Sequence, residues 1–167
     1  IADGNLYNAQ ILGIRKGEKG NPGELSGLIR YEAGNILGEI SENRKNGIFG
    51  TMEASQLKNM NLEKVPIGYK QDLKTGPASV FCCTDGEVKE YAAEITRIDL
   101  NHEDSNKSFV IQITDKELLE KTGGIVQGMS GSPVLQNGKL FGAVTHVFVQ
   151  DSTSGYGIFI ENMMDVA

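Results

Sequence analysis

Apolar and polar residues along this chain alternate in short bursts separated by turn residues, the period-2 signature of half-buried strands. Residues 6–14 alternate and run into the turn-rich stretch Gly17-Glu18-Lys19-Gly20-Asn21-Pro22-Gly23, after which residues 25–31 form a second strand, so a long β-hairpin is predicted. Residues 36–40 and 47–52 read as another pair joined by the polar Ser41-Glu42-Asn43-Arg44-Lys45-Asn46, and residues 65–67 as a short strand. Residues 78–83 and 88–98 flank Thr84-Asp85-Gly86-Glu87, a hairpin signal because Asp-Gly tolerates positive φ. Residues 108–113 alternate again. Thr114 then reads as a helix N-cap, with Glu117 completing a capping box for a brief helix over residues 115–121 that ends in Thr122-Gly123-Gly124. Asn137-Gly138 signals a type I′ turn before the apolar run 140–149, and a polar break at residues 151–155 precedes a last strand, 156–160, and a short C-terminal helix. The pattern predicts an all-β, barrel-like domain of one or two small barrels, with a boundary near residues 68–76.

Composition narrows the class. The chain has 167 residues, enough for a self-sufficient core, with 21 glycines and no tryptophan. A net charge of -6 argues against nucleic acid, which needs a concentrated excess of Lys and Arg. The one basic cluster, Arg15-Lys16-Gly17-Glu18-Lys19, is interrupted by an acid and reads as a solvated hairpin tip. No apolar run reaches the roughly 18 residues of a membrane span, and no signal peptide is visible. The chain opens with Ile1 in mid-pattern, as a processed product or a cut piece would. Cys82 and Cys83 are neighbours, too close for an unstrained disulfide, and on a strand one faces the core and the other faces out. The two histidines, His102 and His146, make no metal-ligand spacing with them, so neither a metal nor another cofactor is expected.

The chemistry is concentrated in Gly128-Met129-Ser130-Gly131-Ser132-Pro133. In a glycine-rich chain Gly-x-Ser-Gly is weak by itself, and an idle serine on a glycine-rich turn is the competing reading. Context strengthens it. An acyl-transfer serine needs its Oγ exposed on a tight turn with backbone N–H groups aimed at the developing oxyanion. Gly128 permits such a backbone, Ser130 supplies the second N–H, Gly131 leaves the nucleophile uncrowded, and Pro133 opens a strand where its missing N–H does little harm. An α/β-hydrolase elbow is excluded, because it needs Gly-x-Ser-x-Gly before a helix, whereas Ser132, Pro133 and a strand follow here. The layout fits the nucleophile loop of chymotrypsin-like double-barrel proteases. Ser132 is the weaker nucleophile candidate, since Gly128 and Gly131 bracket Ser130.

The stretch Gly-Gly-Ile-Val-Gln-Gly-Met-Ser-Gly-Ser-Pro at residues 123–133, followed by Asn-Gly-Lys, Gly-Ala-Val-Thr-His-Val-Phe-Val and Thr-Ser-Gly-Tyr-Gly, closely resembles the sporulation stage IV B peptidase family. The likeness continues upstream in Lys16–Leu25 and Ile40–Arg44 and covers nearly the whole chain. It implies a chymotrypsin-like double β-barrel serine endopeptidase of endospore-forming bacteria. It further implies that the enzyme acts between the forespore and mother-cell membranes, cleaving itself and a regulator of a membrane-embedded protease that matures a sigma factor. A membrane anchor and a PDZ domain that the family carries have no counterpart in this sequence.

Carried over by residue, the resemblance makes Ser130 the nucleophile and Asp115 the catalytic aspartate. Read from the residues alone, Asp115 is a first-turn helix acid favoured by the helix dipole. The family's histidine lies in a Gly-His segment that would fall upstream of Ile1, so this chain alone is expected to be folded but catalytically incomplete. His102, in a polar loop, reads as surface. His146 reads as a pocket-lining or hydrogen-bonded core histidine on the strand after the nucleophile, where it and Thr145 could line the specificity pocket. The expected enzyme is a serine endopeptidase with Gly128 and Ser130 N–H groups as oxyanion hole and protein substrates as partners. The rival is a non-catalytic β-barrel module, or inactive fragment, that binds membrane partners.

Overall fold

The computed structural model describes residues 3–60, 62–101 and 103–164. The C-terminal half is a closed barrel of six antiparallel strands: β6 (Gly76–Cys83), β7 (Val88–Ile98), β8 (Phe109–Ile113), β9 (Pro133–Gln136), β10 (Lys139–Val147) and β11 (Ser154–Phe159). Around the barrel the order is β10-β11-β8-β7-β6-β9. Alternation builds it: β7 buries Tyr91, Ala93 and Ile95 and exposes Ala92, Glu94 and Thr96. The core gathers Val80, Phe109, Ile111, Leu118, Val134, Val144 and Phe159, and closure removes the sheet edges that would otherwise invite mispairing. Close packing requires glycine on both β10 and β11: a Cβ at Gly157 would lie 2.2 Å from the Phe109 ring, and one at Gly142 1.8 Å from the Ile158 carbonyl oxygen.

The N-terminal half is more open among the described residues. The strands β1 (Gly4–Tyr7), β4 (Ile36–Arg44) and β5 (Gly47–Met52) form one sheet in the order β1-β4-β5, and β2 (Ala9–Arg15) and β3 (Glu24–Ile29) form a hairpin. A short helix, α1 (Ala54–Asn59), follows β5. This half is tied to the barrel by backbone hydrogen bonds and by Leu25, which packs against the barrel core. The Gly68 N–H donates to the Leu140 carbonyl at 2.8 Å, and the Leu140 N–H to Pro66 at 2.9 Å. Gln136 is buried and spends its amide on Lys74 and Pro77 backbone groups.

Several sequence expectations shift. Residues 6 and 7 are not part of the first hairpin but pair with β4. The polar stretch 41–44 is strand, leaving a two-residue turn, Lys45-Asn46. Its side chains are mostly exposed, so it lacks the apolar alternation by which a strand is recognised. Residues 65–67 contribute a single bridge, Ile67 to Leu140. The helix α2 (Lys116–Thr122) is capped by Asp115, not Thr114, so its third position is Leu118 and Glu117 closes no capping box. Ile160, expected to end the last strand, instead starts α3 (Ile160–Met164). The turn at Asn137-Gly138, with φ of 51° and 72°, has the predicted mirror-turn backbone.

Candidate active site

The site is assembled at one rim of the barrel, where β6, β8 and β10 end and β7, β9 and β11 begin. From β8 the chain enters α2, stops at Gly123 in the left-handed region, and returns through residues 124–132 to β9. Three glycines make the return possible: Gly124, Gly128 and Gly131 have φ of 128°, 101° and 90°. Ile125, Val126 and Met129 are buried beneath the loop, whereas Gly128, Ser130 and Gly131 are exposed.

Backbone bonding in this loop is selective. The Met129 N–H donates to Val126 at 3.1 Å, Gly131 to Val144 at 2.8 Å, and Ser132 to Met129 at 3.0 Å. No described residue accepts from the N–H of Gly128 or of Ser130. Two donors flanking an exposed hydroxyl are therefore without an acceptor among the described residues. The Ser130 Oγ itself donates to the Thr145 carbonyl at 2.9 Å. Thr145 is in turn fixed by its own hydroxyl, which donates to the Asn106 carbonyl at 2.6 Å. The register between β10 and β11 slips between Val144 and His146, a bulge that presents the Thr145 carbonyl to the serine.

A cleft of about 410 Å³ opens beside the serine, walled by Gly131, Ala143, Val144, Thr145, His146 and Asn106 on the barrel side. The opposite wall is the tip of the β4–β5 hairpin, residues 43–48. That tip is pinned in place: Lys45 pairs with Asp104, the Ser105 hydroxyl donates to Asn46 at 2.7 Å, and the Asn46 amide donates to the Asn162 carbonyl at 3.1 Å. Hydrogen bonds from Lys45 and Lys107 push the Asp104 carboxyl down to about 2. Asn106 is buried, and its Oδ1 has no partner among the described residues.

The expected site residues are thus partly gathered. Ser130, Thr145 and His146 share the cleft. His146 is exposed there and makes no hydrogen bond to Ser130 among the described residues, so its expected alternative as a buried core histidine does not apply. His102 lies outside the described residues. Ser132 is half-buried. Asp115 reaches the same rim from the opposite pair of strands, β7 and β8, and does not line the cleft. One of its carboxylate oxygens accepts from the Leu118 N–H at 3.1 Å and the other from the Ala92 N–H at 3.3 Å. An imidazole joining Asp115 to Ser130 would have to lie over the barrel mouth between them. Cys82 is buried, Cys83 is half-buried, and both are free; burial, then the neighbouring Cys83, pushes the Cys82 thiol up to about 11. Among the described residues no cluster of His, Cys, Asp and Glu could hold a metal.

Sequence reading missed Asn106 and Leu25. Asn106 sits in a stretch that reads as solvated loop, and its burial carries no local signal. Leu25 packs its side chain against Gly128, where an added Cβ would lie 3.1 Å from the Leu25 Cβ.

A closed barrel, a glycine-shaped turn with an exposed serine, and a cleft beside it make up an all-β, chymotrypsin-like domain. A search of curated proteins returned no match. The model of the SpoIVB peptidase S55 family matches residues 1–164, nearly the whole chain, and the chain therefore belongs to that family of serine peptidases.

Proposed function

We propose that Ser130 is the nucleophile of this peptidase and that the N–H groups of Gly128 and Ser130 form its oxyanion hole. The observation that carries the reading is the selective bonding of the turn, in which only the two N–H groups flanking the exposed hydroxyl remain unused. In the reaction the Ser130 Oγ bonds to the scissile carbonyl carbon and gives its proton to an imidazole. The carbonyl oxygen becomes an oxyanion held by the two N–H groups. Collapse breaks the C–N bond, the imidazole proton leaves with the amine, and water hydrolyses the acyl-enzyme by the same route. The Thr145 carbonyl holds the resting hydroxyl in place until a base replaces it as acceptor.

The base in this proposal is the histidine that the family resemblance implies, and Asp115 orients it; serine is a poor nucleophile without such a base in hydrogen-bond reach. The family also supports the biological reading: self-cleavage, cleavage of a regulator of a membrane-embedded sigma-factor-processing protease, and action between the forespore and mother-cell membranes.

The test uses a peptidase-active form of the protein. Ser130→Ala should abolish proteolysis and fluorophosphonate labelling with an unchanged melting profile, because the side chain is exposed and makes one hydrogen bond. Ser132→Ala should retain substantial activity. The reverse pattern would overturn the assignment, and a wild type that never labels would favour a non-catalytic binding module. Equal rates from this chain and from one extended upstream, both lost on His146→Ala, would make His146 the base.

A further inference from the structure

We infer that the β2–β3 hairpin is a brace for the oxyanion hole, with Leu25 as the residue that positions the Gly128 N–H. The inference rests on the proposal that this N–H binds the oxyanion, and goes beyond it by assigning what holds the donor in place. A Gly-rich loop does not fix itself. Gly128 has no side chain to pack, its φ of 101° lies where several backbone orientations are accessible to glycine, and no hydrogen bond to a described residue holds its N–H. Its orientation must come from its neighbours.

Those neighbours belong largely to the hairpin. Before the loop, the Gly17 N–H donates to Thr122 at 2.8 Å, and Gly17 lies so close to Gly123 that a Cβ there would sit 2.4 Å from the Gly17 carbonyl oxygen. Immediately before Gly128, Gln127 is held from both sides: its N–H donates to Gly23 at 2.9 Å and its carbonyl accepts from Leu25 at 2.9 Å. This is a two-bond segment of parallel strand, which fixes the peptide plane leading into Gly128. The Leu25 side chain then closes over Gly128, its Cβ, Cδ1 and Cγ lying 3.1–3.4 Å from where a Cβ on Gly128 would be. On the far side Ile125 donates to Ser152 at 2.7 Å, and the Ser152 hydroxyl donates to Gly123 at 2.8 Å. The loop is therefore clamped, with the Leu25 side chain supplying the nearest contacts to the donor glycine. The charged tip is solvated as its composition suggests, with Lys16, Glu18 and Lys19 exposed, while Gly17 and Gly23 beneath it are buried and a Cβ on Gly23 would meet the Arg15 carbonyl oxygen at 2.3 Å.

In a peptidase-active form of the protein, Leu25→Ala should lower kcat by on the order of 10²-fold, as expected when an oxyanion donor is lost or displaced by about an ångström. KM should change little, and inhibition by a peptide boronate, which mimics the tetrahedral state, should weaken by a similar factor. Leu25→Met, which can refill the space over Gly128, should restore most of both. A purely structural role would lower the melting temperature without separating kcat from KM or substrate from boronate. Gly128→Ala, which places a side chain at φ 101° against Leu25, separates the brace from the oxyanion hole. If Gly128→Ala is inactive while Leu25→Ala keeps the full kcat and boronate affinity, the brace is wrong and the oxyanion hole stands. Full activity in Gly128→Ala would overturn the oxyanion-hole reading itself, and the brace with it. Should Leu25→Ala fail to fold, Leu25→Val tests the same gap, and unchanged kcat there would refute the brace.

Discussion

Asp115 is asked to do two things, and the structure allows them to be separated by one atom. Its carboxylate caps α2 through the Leu118 N–H and reaches the Ala92 N–H at a longer distance. Replacing it with alanine removes the cap, which is worth about 1 kcal/mol. The Ala92 bond adds little, because Ala92 is exposed and water can take the place of the carboxylate. In a chain of this size a loss of that magnitude lowers the melting temperature by roughly 2–4 °C. Asparagine caps about as well as aspartate, so Asp115→Asn should melt within a degree or two of the wild type. The effect on catalysis is of another order. An orienting carboxylate changed to its amide stabilises the wrong imidazole tautomer and lowers turnover by roughly 10⁴-fold, about 5 kcal/mol of barrier. A loss of 1 kcal/mol from a fold stable by about 5–15 kcal/mol leaves nearly every molecule native, so unfolding cannot imitate that drop. The assay pairs a circular dichroism melt with single-turnover acylation in a peptidase-active form. Asp115→Asn should be stable and nearly dead, and Asp115→Ala slightly less stable and equally dead. Near wild-type acylation in Asp115→Asn would show that the carboxylate is a helix cap and nothing more.

Three further outcomes follow from the fold. Gly157→Ala drives a methyl into the Phe109 ring from 2.2 Å and should destabilise the barrel by about 1–3 kcal/mol in chemical denaturation, whereas Gly131→Ala, with open space around it, should be limited to the strain of its positive φ; similar costs for both would contradict the packing described. Asp85 accepts hydrogen bonds from Lys121 and Lys89, which push its carboxyl from the ordinary 3.8 down to about 2; because that pKa is depressed on folding, its stabilisation is present above about pH 4 and is lost as pH falls toward 2. The melting-temperature gap between wild type and Asp85→Asn should accordingly close over that window and shrink in high salt, and a gap that persists at the lowest pH would refute the assignment. Iodoacetamide at mild alkaline pH should modify Cys83 well before Cys82, whose thiol is buried and pushed up to about 11, and mass spectrometry showing equal labelling of the folded protein would count against that burial.

The barrel was legible where burial is one-sided and turns are chemically marked. β7 alternates cleanly, Asp85-Gly86 lies in the four-residue connection that precedes it, and Asn137-Gly138 marks the two-residue reversal from β9 to β10 by residue type. The N-terminal half was less legible for the complementary reason. Its strands are largely exposed, so residues 41–44 look like a polar linker although they pair with β5. The cap was misread by one residue because Thr114 and Asp115 are both good caps, and only backbone geometry chooses between them: Asp115 is extended, with φ of -65° and ψ of 122°, at the point where the chain leaves β8. In the site, Ser130 announced itself through the glycines around it. The groups that set its hydroxyl did not, since a carbonyl at Thr145 and another at Asn106 are contributed by backbone, which leaves no mark in side-chain sequence.

Glycine is where the two halves of the molecule meet. A count of 21 suggests turns, and some of these residues do only that. Others are glycine because two backbones touch: Gly17 against Gly123, Gly23 against Arg15, Gly142 against the Ile158 carbonyl. The first contact joins the N-terminal hairpin to the loop that carries Ser130, the second closes the hairpin on itself, and Leu25 extends the junction to Gly128. The cleft has the same dual origin, with one wall from β10 and the other from the tip of β4 and β5. The barrel thus supplies the serine, and the open half supplies both the clamp behind Gly128 and the wall opposite it. On the proposal that Ser130 is the nucleophile, its reactivity depends on how those two halves are docked, so a change far from the rim that loosens the hairpin should be felt as lost turnover before it is felt as lost fold.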